Sequence, residues 1–214
     1  MNAEPNFRRR PAERGPEILD AAMALFAERG FEKTRIVDIA QRAGVSHGTV
    51  GLYFPTKEAL LRGVIERMAE PQMDEAERLI DGFEGSTADL LETIGLFWWT
   101  HCQEENVGAI VRVVEAELGN FPELAETYRT RVYDPVVRLF VRIVERGVRR
   151  AEYRCEDPVP FAELGFGGLG YMLDWNEGLG RVLNRPIDAQ RYISIWAHAL
   201  ACGLASGAGT QPSP

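Results

Sequence analysis

Cysteine is scarce in these 214 residues: Cys102, Cys155 and Cys202 are far apart and odd in number. No CxxC pair occurs, which excludes zinc ribbons and dithiol redox chemistry and leads us to expect a reduced, cytoplasmic setting. Histidine is equally sparse, at His47, His101 and His198. The adjacent His101 and Cys102 side chains diverge, and no further ligand follows at a metal-binding interval, so neither a metal nor a cofactor is expected. There is no G-x-S-x-G elbow and no phosphate-cradling loop, and the carboxylates are scattered, all of which argues against an enzyme. The longest apolar stretch, Leu164 to Leu173, is too short and too glycine-rich to span a bilayer, and no apolar segment follows the basic start MNAEPNFRRR. No export and no membrane partner are expected.

Hydrophobic residues make up 45% of the chain and charged residues 26%, which is enough apolar material for an ordinary globular core. The net charge of -8 argues at first against nucleic acid, but it is unevenly spread. Residues 1–67 carry 11 Lys+Arg against 9 Asp+Glu, a balance of +2, and the remainder carries -10. The two parts therefore face different partners.

The apolar period is helical almost throughout. Ile18, Ala22, Leu25 and Phe26 share one helix face, and no Asn-Gly or Asp-Gly joins two alternating runs. Punctuation predicts helix 1 from Pro16 to Arg29 with Gly30 as its stop. Thr34 is the expected N-cap of a second helix ending near Ala43-Gly44, Ser46 caps a third, and Thr56 caps a fourth from Lys57 towards or beyond Pro71. Further helices are expected near 87–104, 107–118, 121–150, 158–178 and 187–205, about nine in all. At Asp134-Pro135 the long one either kinks or restarts.

Two short helices joined around Gly44, with Ile36, Ile39, Ala40, Val45 and Val50 placed to pack them, form the helix-turn-helix pattern. The wider set Thr34, Ile39-Ala40, Ala43-Gly44-Val45-Ser46, Gly48-Thr49, Tyr53-Phe54, Lys57-Glu58 and Leu60, preceded by ILDAAMALFAERGFEKT, resembles the TetR family across residues 16–65. The EAELGNFPELAETY stretch is similar to the middle of many members.

The resemblance implies an all-α fold: an N-terminal three-helix DNA-binding domain at 14–65, then a larger effector-binding and dimerisation domain at 66–206. Residues 1–13 are expected as a flexible arm and 207–214 as a flexible tail. It further implies a ligand-responsive repressor acting as a homodimer on double-stranded operator DNA. Helix 3 would enter the major groove, with His47, Gly48, Thr49 and Tyr53 nearest bases or phosphates, and Thr34, Arg35, Ser46 and Lys57 on the DNA backbone. Each also has a plainer reading: Thr34, Ser46 and Thr56 cap helices in any helical protein, His47 suits solvent, and Arg35 and Lys57 are ordinary surface cations. Arg8-Arg9-Arg10 is either a minor-groove arm or a solvated tail. One departure is Gly51, which stands where the family carries a phosphate-contacting aromatic; Tyr53 is the neighbouring ring that could replace it. A helical glycine costs about 1 kcal/mol relative to alanine.

The acidic remainder is expected to point away from DNA and to hold an unknown small-molecule effector. Phe97, Trp98, His101, Glu115, Tyr128, Phe140, Phe166, Tyr171 and Trp175 are the expected pocket residues, although any one aromatic could equally be core. Acidic groups at Glu115 and Asp174, if they face that pocket, favour a cationic or hydrogen-bonding compound. Gly167 and Gly170, with Gly165 and Gly168 beside them, and the stripe Ile193, Trp196, Ala197, Leu200 and Leu204 are the expected dimer interface, as a four-helix bundle across a two-fold axis. The fourth helix, Lys57 to Met73, is the expected route between the domains. The rival reading is a non-catalytic helical adaptor.

Overall fold

The computed structural model describes residues 11–104 and 107–205, and those residues are helical with no strand among them. The Arg8-Arg9-Arg10 segment and the tail from 207 lie outside the described residues. In order the helices are α1 (Pro11–Lys33), α2 (Ile36–Arg42), α3 (His47–Tyr53), α4 (Lys57–Gly82), α5 (Thr87–Cys102), α6 (Val107–Glu117), α7 (Pro122–Tyr128), α8 (Asp134–Arg149), α9 (Val159–Glu177), the single turn α10 (Leu179–Val182) and α11 (Ala189–Ala205). A π turn, Arg129–Tyr133, joins α7 to α8 without a break. With that run taken as one helix and the single turn set aside, nine helices stand among the described residues.

The boundaries follow from capping chemistry. Ser46, Thr56 and Ser86 each accept a backbone N–H with the side-chain oxygen, from Thr49, Ala59 and Asp89, and Ser86 with Asp89 completes a reciprocal capping box. Gly30 interrupts α1 at φ 78°, a conformation that a side chain resists, and one further turn follows before α2. The first helix starts at Pro11 rather than Pro16, so three residues expected in the arm are helical. Into Pro135 the backbone stays helical, with αR torsions at Tyr133 and Asp134 where the π turn ends. Proline removes one N–H, and its ring crowds the carbonyl four residues back, so widening to a π turn keeps the axis helical.

Two main clusters make the interior. One gathers Ile18, Ala22, Leu25 and Phe26 of α1 with Ile39, Val50, Leu60, Leu61 and Val64, and takes in Ile110, Val114 and Leu124 from α6 and α7. The other joins Ala76 and Ile80 of α4 to α5, α8, α9 and α11 around Ile143, Met172, Ile193 and Trp196. Helix α4 is therefore common to both. Ion pairs reinforce it: Arg67 grips Asp20 of α1 with two bonds of 2.7 and 3.0 Å, and Arg62 meets Glu123 of α7 at 2.9 Å. No helix among the described residues is long and apolar enough to cross a membrane.

Candidate functional site

Helices α2 and α3 meet through Gly44, at φ 65°, with the Val45 N–H donating to the Ala40 carbonyl at 3.0 Å. Buried Ile39, Ala40 and Val50 hold the pair against α1 and α4. Ser46 is spent as a cap, and its hydroxyl also lies 2.8 Å from the Thr49 hydroxyl, which rigidifies the first turn of α3. His47, Gly48, Gly51, Leu52 and Tyr53 are exposed on α3, Leu52 at 85%. Leu52 was not among the expected contacts. The inward anchor Val50 was legible, and a helical wheel drawn from it shows Leu52 on the opposite side.

Three expected backbone contacts are occupied within the chain. Thr34 neither caps α2 nor offers itself to a phosphate: it is 1% exposed, and its hydroxyl is shared between the carbonyls of Gly30 at 2.8 Å and Leu25 at 3.1 Å. The N-cap of α2 is Arg35, with no side-chain bond. Two of the ammonium protons of Lys57 go to the carbonyls of Phe31 at 2.9 Å and Glu32 at 3.3 Å, and its Nζ sits 4.3 Å from the Phe31 ring centre, so it latches α4 onto the end of α1. Arg35 is paired with Asp38 through bonds of 3.0 and 2.9 Å. That contact raises the guanidinium pKa and holds the carboxylate below its usual range. Arg35 faces water, while Asp38 is largely covered and also meets Arg29 at 3.6 Å, so a competing phosphate can draw the Arg35 side chain off and leave Asp38 partnered.

A cavity of about 120 Å³ opens between α4, α5, α6, α9 and the π turn. Of the expected pocket residues, Trp98, His101, Glu115, Tyr128 and Phe166 line it. Phe97, Phe140, Tyr171 and Trp175 do not: Phe97 and Phe140 pack in the core, the latter edge-on to Trp196 at 5.9 Å. Tyr171 is 54% exposed on the outside of α9, and Trp175 Nε1 donates to the Arg185 carbonyl at 2.8 Å. The missed wall is aliphatic: Ile65, Met68 and Met73 of α4, and Ile110, Val111 and Val114 of α6. Aromatic content could not reveal it, because aliphatic residues at helical spacing look like core.

Three polar groups of the cavity stand together. Tyr128 donates to Glu115 at 3.3 Å, and Asp174 lies beside them, both carboxylates being open to solvent on one flank. Crowding by the wall, and then the Asp174 charge, raise the Glu115 pKa. Burial, followed by the Glu115 charge, raises that of the Tyr128 phenol. His101 Nδ1 is enclosed and makes no hydrogen bond; Glu104 Oε2 is 3.2 Å away but out of hydrogen-bonding alignment. Burial, then Glu177 and Glu104, push the Cys102 thiol up to about 12, so it behaves as an inert apolar group. Among the described residues no group of three or more His, Cys, Asp or Glu is placed to hold a metal ion.

Residues 18–64 match the family model described as bacterial regulatory proteins, tetR family, and residues 89–181 match that of the AefR-like transcriptional repressor, C-terminal domain. The chain belongs to the TetR family. It is a DNA-binding transcriptional regulator and not an enzyme or a passive adaptor. The HTH-type transcriptional repressor KstR2 of Mycolicibacterium smegmatis is 26% identical over 151 residues, covering 70% of this chain and 72% of the relative. In fold the chain is similar to a TetR-family regulator of Mesorhizobium loti, with TM-score 0.76 at 21% identity over 91% of this chain and 98% of the other. It is also similar to FadR of Bacillus subtilis solved with stearoyl-CoA, with TM-score 0.75 at 19% identity over 88% and 98%.

In this TetR-family chain, α9 and α11 lie side by side, but the residues expected to join two subunits face inward. Ile193, Trp196, Ala197, Leu200 and Leu204 are all buried in the subunit's own interior. Gly165 and Gly168 are small to admit neighbours: a Cβ would stand 3.3 Å from Phe140 and 2.8 Å from Trp196, respectively. Trp196 Nε1 donates to the Gly165 carbonyl at 3.1 Å. Gly170 lines the cavity instead of an interface, while Gly167 does face outward into open space. Beside it the exposed residues are Leu164 and Tyr171 of α9, and Ile195, His198, Ala199 and Cys202 of α11.

Proposed function

We propose that this regulator is a cytoplasmic repressor, a homodimer that two equivalent α3 helices hold on a two-fold operator and that an effector in the cavity releases. The observation that carries this reading is that α4 does two jobs. Its start is latched to the end of α1 through Lys57 and packs Leu60 and Leu61 into the core that holds Ile39 of α2 and Val50 of α3, and its middle, from Ile65 to Met73, forms one wall of the cavity. A ligand that fits a shifted α4 better than the DNA-bound one must lower operator affinity by that same difference. Residues 14–65 act as the DNA-binding unit and 66–206 as the effector and dimer unit. Ile110, Val114 and Leu124 couple them, because these residues sit in the core of the first unit. Two subunits meet through the outward face of α9 and α11 around Leu164, Gly167, Tyr171 and Ile195. On the DNA side His47, Gly48 and Tyr53 face the duplex, and Arg35 reaches a phosphate by exchanging Asp38 for it.

The cavity favours a small apolar molecule with a cationic or hydrogen-bond-donating end. Its wall is almost wholly apolar, no Lys or Arg lines it, and Glu115 and Asp174 stand together at one side. Burial first and the Asp174 charge second raise the Glu115 pKa, and a cation placed there offsets both by favouring the ionised carboxylate. FadR of Bacillus subtilis was solved with stearoyl-CoA, an apolar acyl chain on an anionic carrier, whereas an anionic end group beside Glu115 and Asp174 would meet carboxylates here. Thermal shift with benzyltrimethylammonium, benzyl alcohol and benzoate tests the charge preference. The cation should raise Tm most, and Glu115→Gln should reduce that rise without changing the response to the alcohol. Greater stabilisation by benzoate would reject the reading. Gel shift with the preferred compound then tests release: at a saturating dose the retarded band should fall.

A further inference from the structure

We propose that Leu52 is a specificity-determining residue of the DNA-reading surface and that it recognises the C5-methyl group of thymine. The argument begins with the direction of the helix. Val50 is fully buried and fixes the inward side of α3. At about 100° per residue, Gly48 and Leu52 both point within about 20° of straight outward, at the centre of the surface offered to the duplex. Gly48 has no side chain, and neither has Gly51, around which a Cβ would find open space. His47 and Thr49 stand to either side, Thr49 tied back to Ser46 at 2.8 Å. The ring of Tyr53 packs near Phe54, at 6.5 Å between centres, and leans towards Gly15 of α1.

Leu52 is therefore the side chain that projects from the middle of the reading surface, and it is 85% exposed, more than any other large apolar residue among the described ones. It has no part in either interior cluster, so its exposure serves nothing within the subunit. Two bare glycine positions let the α3 backbone come close to the groove floor. A leucine there has no donor or acceptor with which to read base edges. The apolar feature of the major-groove floor is the thymine methyl, so contact with it distinguishes T from the other three bases. The inference rests on family membership and the geometry of α3, and is independent of the effector reading.

The probe is the duplex that the full-length wild-type chain selects from a random pool. Each half-site should contain at least one invariant thymine. Replacing that thymine by deoxyuridine removes only the methyl and should weaken wild-type binding roughly fourfold, the value of one buried methyl group. Leu52→Ala should bind the thymine duplex at least as weakly, should bind the thymine and deoxyuridine duplexes equally, and should melt with the wild type. The proposal is overturned if wild-type protein tolerates deoxyuridine at every thymine of the half-site. It is equally overturned if Leu52→Ala retains the full deoxyuridine penalty, or if the selected half-sites hold no invariant thymine.

Discussion

Glu152 is a small residue-level example of a long-range tie. Its Oε2 accepts the Thr87 N–H at the start of α5 at 2.7 Å, and its other oxygen meets Arg150. Burial opposes the charged form, but the Thr87 and Arg150 bonds outweigh it and pull the carboxyl down to about 2. A depressed folded pKa contributes stability above the unfolded value and loses it as pH falls through the folded one. Glu152→Gln should therefore cost about 1–2 kcal/mol at pH 7, with the deficit shrinking from near pH 4.5 and gone by about pH 2. Urea melts of the two proteins across that range check it. Nothing local in the sequence revealed this tie, because 65 residues separate its ends. Thr34 was misread for a related reason. A threonine before a helix has the composition of a cap, and only the fold brings the Gly30 and Leu25 carbonyls to its hydroxyl.

At the scale of the element, the sequence was most informative where local chemistry decides. Ser46 and Thr56 begin α3 and α4 because their oxygens satisfy amides of the first turn, and this is readable without tertiary knowledge; Ser86, which caps α5 in the same way, was not among the expected caps. The π turn was not readable, since whether Pro135 breaks, kinks or widens a helix depends on tertiary packing that local sequence does not specify. Helix α3 itself is marginal at seven residues with two glycines. Gly51 has an ordinary φ and open space around it, so Gly51→Ala should raise unfolding stability by roughly 0.5–1 kcal/mol, read from a denaturant midpoint shift with unchanged slope. A loss instead would mean that the backbone there needs glycine's freedom.

For the whole molecule, the positions of α9 and α11 were legible, but which of their faces meets a partner was not. The apolar stripe through Ile193, Trp196 and Leu200 signals burial without saying against what, and here α5, α8 and α9 of the same subunit cover it. The outward face mixes Ile195 and Ala199 with Ser194, His198 and Cys202, a pattern that reads as surface until a second subunit is considered. Ile195→Arg, placed on the exposed side, should leave the fold intact, shift sedimentation from dimer to monomer and abolish operator retention. Trp196→Ala should instead destabilise the subunit by about 3–5 kcal/mol.

Pro71 sits within α4 just where that helix passes the cavity, between Ala69 and Gln72. Lacking an amide hydrogen, it leaves the ladder one rung short, and the rod can flex there more cheaply than elsewhere. About fourteen residues separate it from Lys57, an arm of roughly 20 Å at 1.5 Å per residue. A tilt of about 5° at this pivot swings the far end by nearly 2 Å in such an arm. Doubled over two subunits, that displacement is on the order of one base-pair step of 3.4 Å, enough to put one reading head out of register with its groove while the other stays seated.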